Sequence, residues 1–390
     1  MSNLLSLAGF VVAGMLLSLL LGCAGRDLRP GQAETAGGPI RPGDIVEARS
    51  GMRISAESLS DRLAQVQIVY GGETHTSPAD HRVQLEILRS LHAKNPRLVL
   101  AMEMFPREVQ PVLDRFSRGL IALEDFPGEV GWETVWGFPF PLYRDLLEFA
   151  QHHGLQVLGL NAPHAVVQKV ARSGLASLSP EERARIAREF RPENPRHREY
   201  VRKEFDDHVK ETIKDFQTFY EAQLTWEETM AETLADHLRS APPGEQVVVI
   251  VGRGHLHYKL GIPRLVAERL AHSFKTVIPL PVDHAEGSSD RELGDYYWIT
   301  EKTEPAHRGR LGILIRPDSS GEGVEVVSVI AESPAAKAGF RKGDIIVGVN
   351  DVVVKTPQDL HRAMAHKGKI HAVSVKRNGG EETMVVDLSP

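Results

Sequence analysis

The chain has 390 residues, which is enough for two domains that each bury a core. Its residues are 42% hydrophobic and 25% charged, as in ordinary globular proteins. The net charge is −6 and no long basic run occurs, which argues against nucleic acid as a partner. The single cysteine excludes an intrachain disulfide and a zinc site built on cysteines.

The first predicted element is an apolar segment over residues 4–21 that ends close to the cysteine. Leu20-Leu21-Gly22-Cys23 resembles a bacterial lipobox, in which signal peptidase cuts before a cysteine that then carries lipid. An uncleaved membrane anchor is the alternative, because no Lys or Arg precedes the run and its length is borderline for a span. We expect a signal peptide over 1–22, a flexible tether over 23–43 and a location outside the cytoplasm. Ala24 after the cysteine favours the outer membrane in a Gram-negative cell.

Residues 44–300 alternate apolar strands with helices. The apolar runs predict five strands, over 66–70, 98–102, 156–160, 245–251 and 274–280. Helical spacing predicts a helix over 78–92 and a long helical insertion over 179–239. Strands that are apolar almost throughout and separated by helices predict an α/β fold, with a largely parallel sheet covered by helices on both faces.

Polar side chains follow four of the predicted strands. They are Glu73 and His75 after the first, Glu103 after the second, Asn161 after the third, and Arg253, His255, His257 and Tyr258 after the fourth. The carboxyl ends of parallel strands share one edge of the sheet, where such folds bind ligands. We expect the first strand to break at Gly71-Gly72, so that Glu73 and His75 lie on a loosened loop. These residues alone leave catalysis, metal binding and turn formation open.

Residues 306–390 resemble a PDZ domain, which we place at 308–390 after a linker over 301–307. Leu311-Gly312-Ile313 takes the position of the carboxylate-binding loop, and a helix beginning near Pro357 would line the side-chain pocket. Such a domain binds a peptide as an added strand and holds its C-terminal carboxylate with backbone N–H groups. The resemblance therefore implies a peptide or protein C-terminus as a partner.

Residues 67–300 also carry a series of motifs in a fixed order. They are Gly72-Glu73-Thr74-His75, Glu103-Met104-Phe105, Trp132 and Trp136, Asn161-Ala162-Pro163, Gln223-Leu224-x-Trp226 with Met230-Ala231, and Gly252-x-Gly254-His255 with Gly261-Ile262-Pro263. Through these motifs the segment resembles the ChaN family of haem-binding lipoproteins, part of a superfamily that includes TraB, Tiki and erythromycin esterase. The resemblance implies export as a lipoprotein and binding of haem for iron uptake, in a homodimer that shares the site between two subunits.

Two functions follow for the first domain. In the haem hypothesis, Tyr258 is the first choice of iron ligand and His255 the second, or a hydrogen-bond partner of the tyrosinate. The remaining cofactor-binding candidates are His75, Glu73, Glu103 and Asn161, with Trp226, Met102, Met104 and Phe105 as apolar walls. In the hydrolase hypothesis, His75 and His255 hold a divalent metal together with Glu73 or Glu103. Without a metal, His75 acts as general base and is oriented by a carboxylate. A third hypothesis makes the first domain a remnant and the PDZ domain a scaffold.

Overall fold

The structure is a computed structural model that describes residues 38–208, 215–287, 292–302, 311–318, 320–330, 333–364, 370–377 and 379–388. Cys23 and residues 1–37 of the predicted signal peptide and tether lie outside these ranges. Within the ranges, no helix combines the length and the hydropathy needed to cross a bilayer.

The first domain alternates strands and helices from its start to its end. Its strands are β1 (Ile45–Glu47), β2 (Arg53–Ile54), β3 (Ile68–Glu73), β4 (Leu98–Pro106), β5 (Gln156–Asn161), β6 (Gln246–Gly252), β7 (Phe274–Pro281) and β8 (Tyr296–Thr300). Its helices are α1 (Ala56–Leu63), α2 (Pro78–His92), α3 (Gln110–Ser117), α4 (Phe126–Val130), α5 (Trp132–Val135), α6 (Arg144–His152), α7 (His164–Ser173), α8 (Pro180–Arg183), α9 (Pro195–His208), α10 (Phe216–Ser240), α11 (Ile262–Ala267) and α12 (Val282–Gly287).

In the described residues, the eight strands form one sheet in the order β2-β1-β8-β7-β3-β6-β4-β5. The strands from β8 to β5 are all parallel, whereas β1 runs antiparallel to β2 and to β8. The predicted α/β class is therefore confirmed. The sequence analysis missed β8, and it missed the short β1–β2 pair because two- or three-residue strands leave no pattern.

Side chains alternate across the sheet, and each face has its own hydrophobic core. Along β3, Val69 packs with α1 and α2, while Ile68 and Tyr70 pack with α10 and α11 on the other face. All three side chains are fully buried. Burial on both faces explains why this strand reads as a continuous apolar run.

One expectation about these elements was wrong. Strand β3 does not break at its glycines but continues through Glu73, and neither Gly71 nor Gly72 has a positive φ. A Cβ on Gly72 would lie 3.2 Å from the Cβ of Arg253, so this glycine permits close packing rather than flexibility.

The predicted long helical insertion consists of α8, α9 and α10 in the described residues.

The second domain is a small β-rich unit with its own core. Its elements are β9 (Ile313–Pro317), β10 (Val324–Val329), α13 (Pro334–Ala338), β11 (Ile345–Val349), β12 (Val352–Val353), α14 (Pro357–Met364), β13 (Ile370–Arg377) and β14 (Gly380–Asp387). The described strands pair antiparallel in the order β14-β13-β11-β10-β9, with β12 on β11. Strand β9 is thus an edge strand next to the Leu311-Gly312-Ile313 loop.

Candidate functional site

The carboxyl end of β3 carries a buried carboxylate in contact with two imidazoles. Glu73 accepts hydrogen bonds from Nδ1 of His75 at 2.8 Å and from the hydroxyl of Tyr143 at 2.6 Å. Its other oxygen accepts one from Gln84 at 2.9 Å and lies 3.3 Å from Nδ1 of His81. Glu73 therefore orients His75 and does not cap the following helix, whose N-cap is Ser77 with its side chain accepting the N–H of Asp80.

A second glutamate–histidine contact joins β4 to the turn after β6. Glu103 accepts the backbone N–H of Gly252 at 2.6 Å, and its other oxygen lies 3.5 Å from Nε2 of His255. Nδ1 of His255 faces Glu227 of α10 at 3.0 Å and Gln223 at 3.0 Å. Both ring nitrogens of His255 are thus engaged by side chains from separate elements.

The contact chain continues into α9, and the sequence analysis did not include these members. The second oxygen of Glu227 lies 3.0 Å from Nε2 of His197, whose Nδ1 lies 3.2 Å from the hydroxyl of Tyr220. Glu227 and His197 are almost completely buried. A signal exists in hindsight, because Tyr220, Gln223 and Glu227 recur at three- and four-residue spacing and so share one face of α10.

These contacts decide the charge of each group. Burial alone would raise the pKa of Glu73, but hydrogen bonds from His75 and His81 hold it at about 2. Burial alone would lower the pKa of His255, but the charges and hydrogen bonds of Glu103 and Glu227 raise it to about 10. Burial alone would also raise the pKa of Glu227, but its neighbours, mainly His197, lower that pKa instead. At neutral pH, His255 is therefore an imidazolium between two carboxylates.

The two glutamate–histidine pairs meet at Gly252. A Cβ at that position would lie 2.8 Å from Cε1 of His75 and 3.4 Å from an oxygen of Glu103, so only glycine admits the ring. The side chain of His75 is 30% exposed, whereas that of His255 is 10% exposed. Of the two imidazoles, His75 is therefore the one that a ligand can reach.

The turn after β6 has an unusual backbone that places Tyr258. Tyr258 and Lys259 have positive φ angles of 57° and 59°, which is uncommon for side chains of their size. The N–H of Tyr258 donates to the carbonyl of Leu293, and Lys259 pairs with Asp295 at 2.7 Å. The segment is not extended: Arg253–His255 and His257–Lys259 form short 3₁₀ turns, and Tyr258 itself departs from helical geometry.

Aromatic neighbours surround this turn on the α9 side. The ring of Tyr258 lies 5.6 Å from that of Tyr200, measured between centroids. The hydroxyl of Tyr200 lies 3.0 Å from Nδ1 of His257. Tyr258 is half-buried, so its phenol belongs to the surface of the carboxyl edge rather than to the core.

The remaining predicted site residues occupy different positions. Asn161 donates to the carbonyl of Glu103 at 3.0 Å and accepts from Ala162, so it holds the ends of β4 and β5 together. Met102, Met104 and Phe105 are fully buried in the core, so in this structure they do not provide the apolar walls of a haem site that were expected of them.

Aromatic side chains near the two histidines can provide apolar surface instead. The ring of His75 lies 4.9 Å from Trp136 and 5.2 Å from Phe138, and that of Trp226 lies 6.4 Å from His255. All three aromatic residues are only partly buried. In the part of the chain that the structure describes, no three His, Asp, Glu or Cys side chains are arranged to hold a metal ion.

The predicted peptide site of the second domain lies at the start of β9. Gly312 has a φ of 75°, and its carbonyl accepts the N–H of Ile330 at 2.8 Å. The carbonyl of Leu311 accepts the N–H of Ala335, and the Leu311 side chain is buried in the core. The loop is therefore fixed on its carbonyl side before any peptide binds.

A parallel α/β domain with acid–imidazole pairs at its carboxyl edge, followed by a small β domain with a fixed glycine loop, defines a two-domain ligand-binding protein. Residues 59–266 match the family described as haem-binding uptake, Tiki superfamily, ChaN, and residues 309–388 match the PDZ domain. Because the first match covers more than half of the 390 residues, the chain belongs to the ChaN family. Both predicted resemblances are confirmed.

Individual relatives are similar to parts of the chain. A solved structure of ChaN of Campylobacter jejuni with cofacial haem has a TM-score of 0.54 and 18% identity, and the match covers 66% of this chain and 98% of that one. A "Probable periplasmic serine endoprotease DegP-like" of Brucella suis is 27% identical over 157 residues, 40% of this chain and 27% of the relative. DegP of Salmonella typhimurium is 41% identical over 56 residues, 14% of this chain and 12% of the relative. The chain thus spans about a quarter or less of these two proteases.

Proposed function

We propose that the first domain binds haem at the carboxyl edge of its sheet, with Tyr258 as the iron ligand. The observation that carries this proposal is membership of the ChaN family over residues 59–266, a range that contains Tyr258 and the strand ends described above. A phenolate oxygen is an established ligand of ferric haem. The positive φ of Tyr258 supports the choice, because uncommon backbone conformations of bulky residues cluster at functional sites.

The donor set fits tyrosine ligation better than histidine ligation. His255 has carboxylates at both ring nitrogens and a pKa raised to about 10, so it has no lone pair to offer to iron. Trp226 and Trp136 are partly exposed near the two histidines and offer apolar surface for a porphyrin. We therefore withdraw His255 as an axial ligand and keep it as a fixed positive charge under the site.

A hemin titration followed by Soret absorbance tests this proposal. We expect a saturable change with the chain from Ala24 onward, and Tyr258→Phe should weaken binding by at least about tenfold, or roughly 1.4 kcal/mol. Tyr296→Phe is the matched control, because Tyr296 lies on β8, three strands from β6, and should leave the affinity unchanged. Equal affinities of wild type and Tyr258→Phe would contradict tyrosine ligation.

We further propose a place for this activity, namely haem or iron uptake in the cell envelope by a protein held through lipid on Cys23. The lipobox-like sequence and the family description support it. Cys23→Ser should abolish metabolic labelling with palmitate and move the chain out of the membrane fraction. Haem shared between two subunits stays a prediction, which the mass of the hemin complex in solution tests.

For the PDZ domain we propose a peptide or protein C-terminus as the ligand. Strand β9 pairs with β10 and is otherwise at the edge of the described sheet, where a peptide strand can add. The fixed Leu311-Gly312-Ile313 loop lies at the start of this edge. A peptide selected from a C-terminal library should lose binding when its terminal carboxylate is amidated.

A hydrolase remains the second candidate, and the Glu73–His75 pair is the observation that favours it. A carboxylate 2.8 Å from Nδ1 of a partly exposed imidazole is the arrangement of an oriented general base. Hydrolysis of an ester or peptide that stops in both His75→Ala and Glu73→Gln, while hemin binding persists, would support this function. If the wild type shows no activity in a screen of ester and peptide substrates, the hydrolase function is rejected.

A further inference from the structure

Arg253 is a partly buried cation at the carboxyl edge of the sheet. It directly follows Gly252 at the end of β6, and its Cβ packs against Gly72 of β3. Its Nη1 atom is buried without a hydrogen-bond partner among the described residues. A guanidinium stays charged at every relevant pH and carries five donors, so leaving a buried donor unpaired is costly.

The acid on which the charge of Arg253 acts most clearly is already committed to other donors. Asp80 accepts from Thr74 and Ser77, both at 2.7 Å. Arg253 makes no ion pair within 4.0 Å in the described part of the chain. The structure therefore supplies a partly buried positive charge, with one buried donor atom, that has no ion-pair partner in the described part of the chain.

Electrostatics place the guanidinium between the start of α2 and α9. Burial raises the pKa of Asp80 and of Tyr200, and the charge of Arg253 opposes that rise at both residues. Tyr200 is also the aromatic neighbour of Tyr258. Arg253 and the proposed iron ligand are thus five residues apart on one turn and share a neighbour.

We propose that Arg253 binds a carboxylate of the ligand that occupies this edge; for haem, that group is a propionate. This inference rests on the proposed haem function and adds the residue that recognises the acidic side of the ligand. Arginine forms paired, charge-assisted hydrogen bonds with carboxylates, and a partly buried site strengthens them. Such a contact would also orient the porphyrin, because only its propionate edge is anionic.

The test compares hemin with hemin dimethyl ester, which lacks the propionate charges, in the same detergent micelle. Wild type should bind hemin at least about tenfold more tightly than the ester, as expected for loss of a charge-assisted hydrogen bond. Arg253→Met should weaken hemin binding by a similar factor and leave the ester unchanged, so that the preference disappears. Arg253→Lys should retain part of the preference for hemin over the ester.

Arg82→Met is the matched control, because Arg82 is 65% exposed on α2 and should change neither affinity. Tryptophan fluorescence in urea checks that each variant is folded. An Arg253→Met chain that is folded and keeps the wild-type preference for hemin, or that loses both ligands equally, would overturn the assignment. A wild type without a saturable Soret change would instead reject the haem function itself, and the propionate contact with it.

Discussion

At the scale of single residues, the main feature is a buried row of alternating acids and imidazoles. It runs from Tyr220 through His197, Glu227 and His255 to Glu103, and its members come from α9, α10, β4 and the turn after β6. Removing one member leaves a neighbouring charge buried without a partner, which costs more than the contact itself contributes. The row is therefore expected to be sensitive to substitution and to pH.

His255 should make the first domain less stable as the pH rises. Its folded pKa, about 10, lies above the value near 6.5 of an unfolded histidine. The protonation of His255 contributes fully to the unfolding free energy below pH 6.5, and this contribution is lost as the pH rises towards 10. Glu73, Glu103 and Glu227 have lowered pKa values in the folded domain. Their contribution to the unfolding free energy is therefore present above the pKa of an unfolded glutamate and is lost in acid. We expect the unfolding free energy to fall by up to about 1.4 kcal/mol per pH unit above pH 6.5 from this group.

Urea unfolding at several pH values measures this slope. All four tryptophans, at positions 132, 136, 226 and 298, lie in the first domain, so their fluorescence reports on it alone. His255→Gln should lower the unfolding free energy at pH 7 by about 3–5 kcal/mol and flatten the alkaline slope. His152→Gln, at the exposed end of α6, is the control and should do neither. An unchanged slope in His255→Gln would contradict the assigned charge.

At the scale of elements, two glycines of the PDZ domain allow a matched comparison. Gly312 and Gly321 have nearly equal φ angles of 75° and 72°, so alanine suffers the same backbone penalty at both. A Cβ on Gly312 would lie 2.2 Å from the Cβ of Ser333, whereas one on Gly321 would meet nothing within 4 Å. Gly312→Ala should therefore destabilise the domain by about 1–3 kcal/mol more than Gly321→Ala, as expected for overpacking.

Circular dichroism of residues 308–390 during urea unfolding measures that difference. Gly312→Ala should also weaken peptide binding, because the loop must shift away from Ser333. Equal destabilisation by the two substitutions would mean that the loop can adjust without cost, and the fixed-loop interpretation would then fail.

The sequence predicted those elements whose residues carry a local pattern. The strand cores of β3, β4, β5, β6 and β7 were found because both faces are buried, which produces continuous apolar runs. Helix α2 was predicted with its observed bounds, from proline at its first turn and regular apolar spacing. The continuation of β3 through Gly71-Gly72 was missed, because tight packing of a glycine against Arg253 is not visible in local sequence.

The candidate site was also predicted in part, where the residues could be placed from a local sequence pattern. Glu73 and Glu103 lie near the carboxyl ends of β3 and β4, and His75 and His255 follow β3 and β6. The parallel topology alone therefore brings them to one edge. Glu227 and His197 are more than 25 residues from His255 and lie on helices whose neighbouring residues are polar. Their burial depends on how α9 and α10 pack, which is tertiary information.

At the scale of the whole molecule, the two domains should unfold independently. Each has its own hydrophobic core, with Val69 and Met230 in the two cores of the first domain and Val326 in that of the second. We expect the tryptophan fluorescence midpoint in urea to be the same for residues 44–300 and for the chain from Ala24 onward. Hemin affinity should also be the same for both.

Circular dichroism of residues 308–390, which contain no tryptophan, checks that the second domain folds alone. A lower fluorescence midpoint for residues 44–300 would show that the PDZ domain stabilises the first domain. In that case the haem site and the peptide site would be energetically coupled.

The position of β1 also decides how the first domain responds to mechanical load. Tension applied to the chain before Gly38 would first reach Arg53, which donates to the carbonyls of Gly38 and Pro39, and then the short ladder between β1 and β8. Strands β8 and β7 separate this ladder from β3, where Glu73 lies. A pull on the proposed membrane tether would therefore detach β1 together with its partner β2, the edge pair of the described sheet, while the central strands keep their register, so that the binding edge is insulated from force.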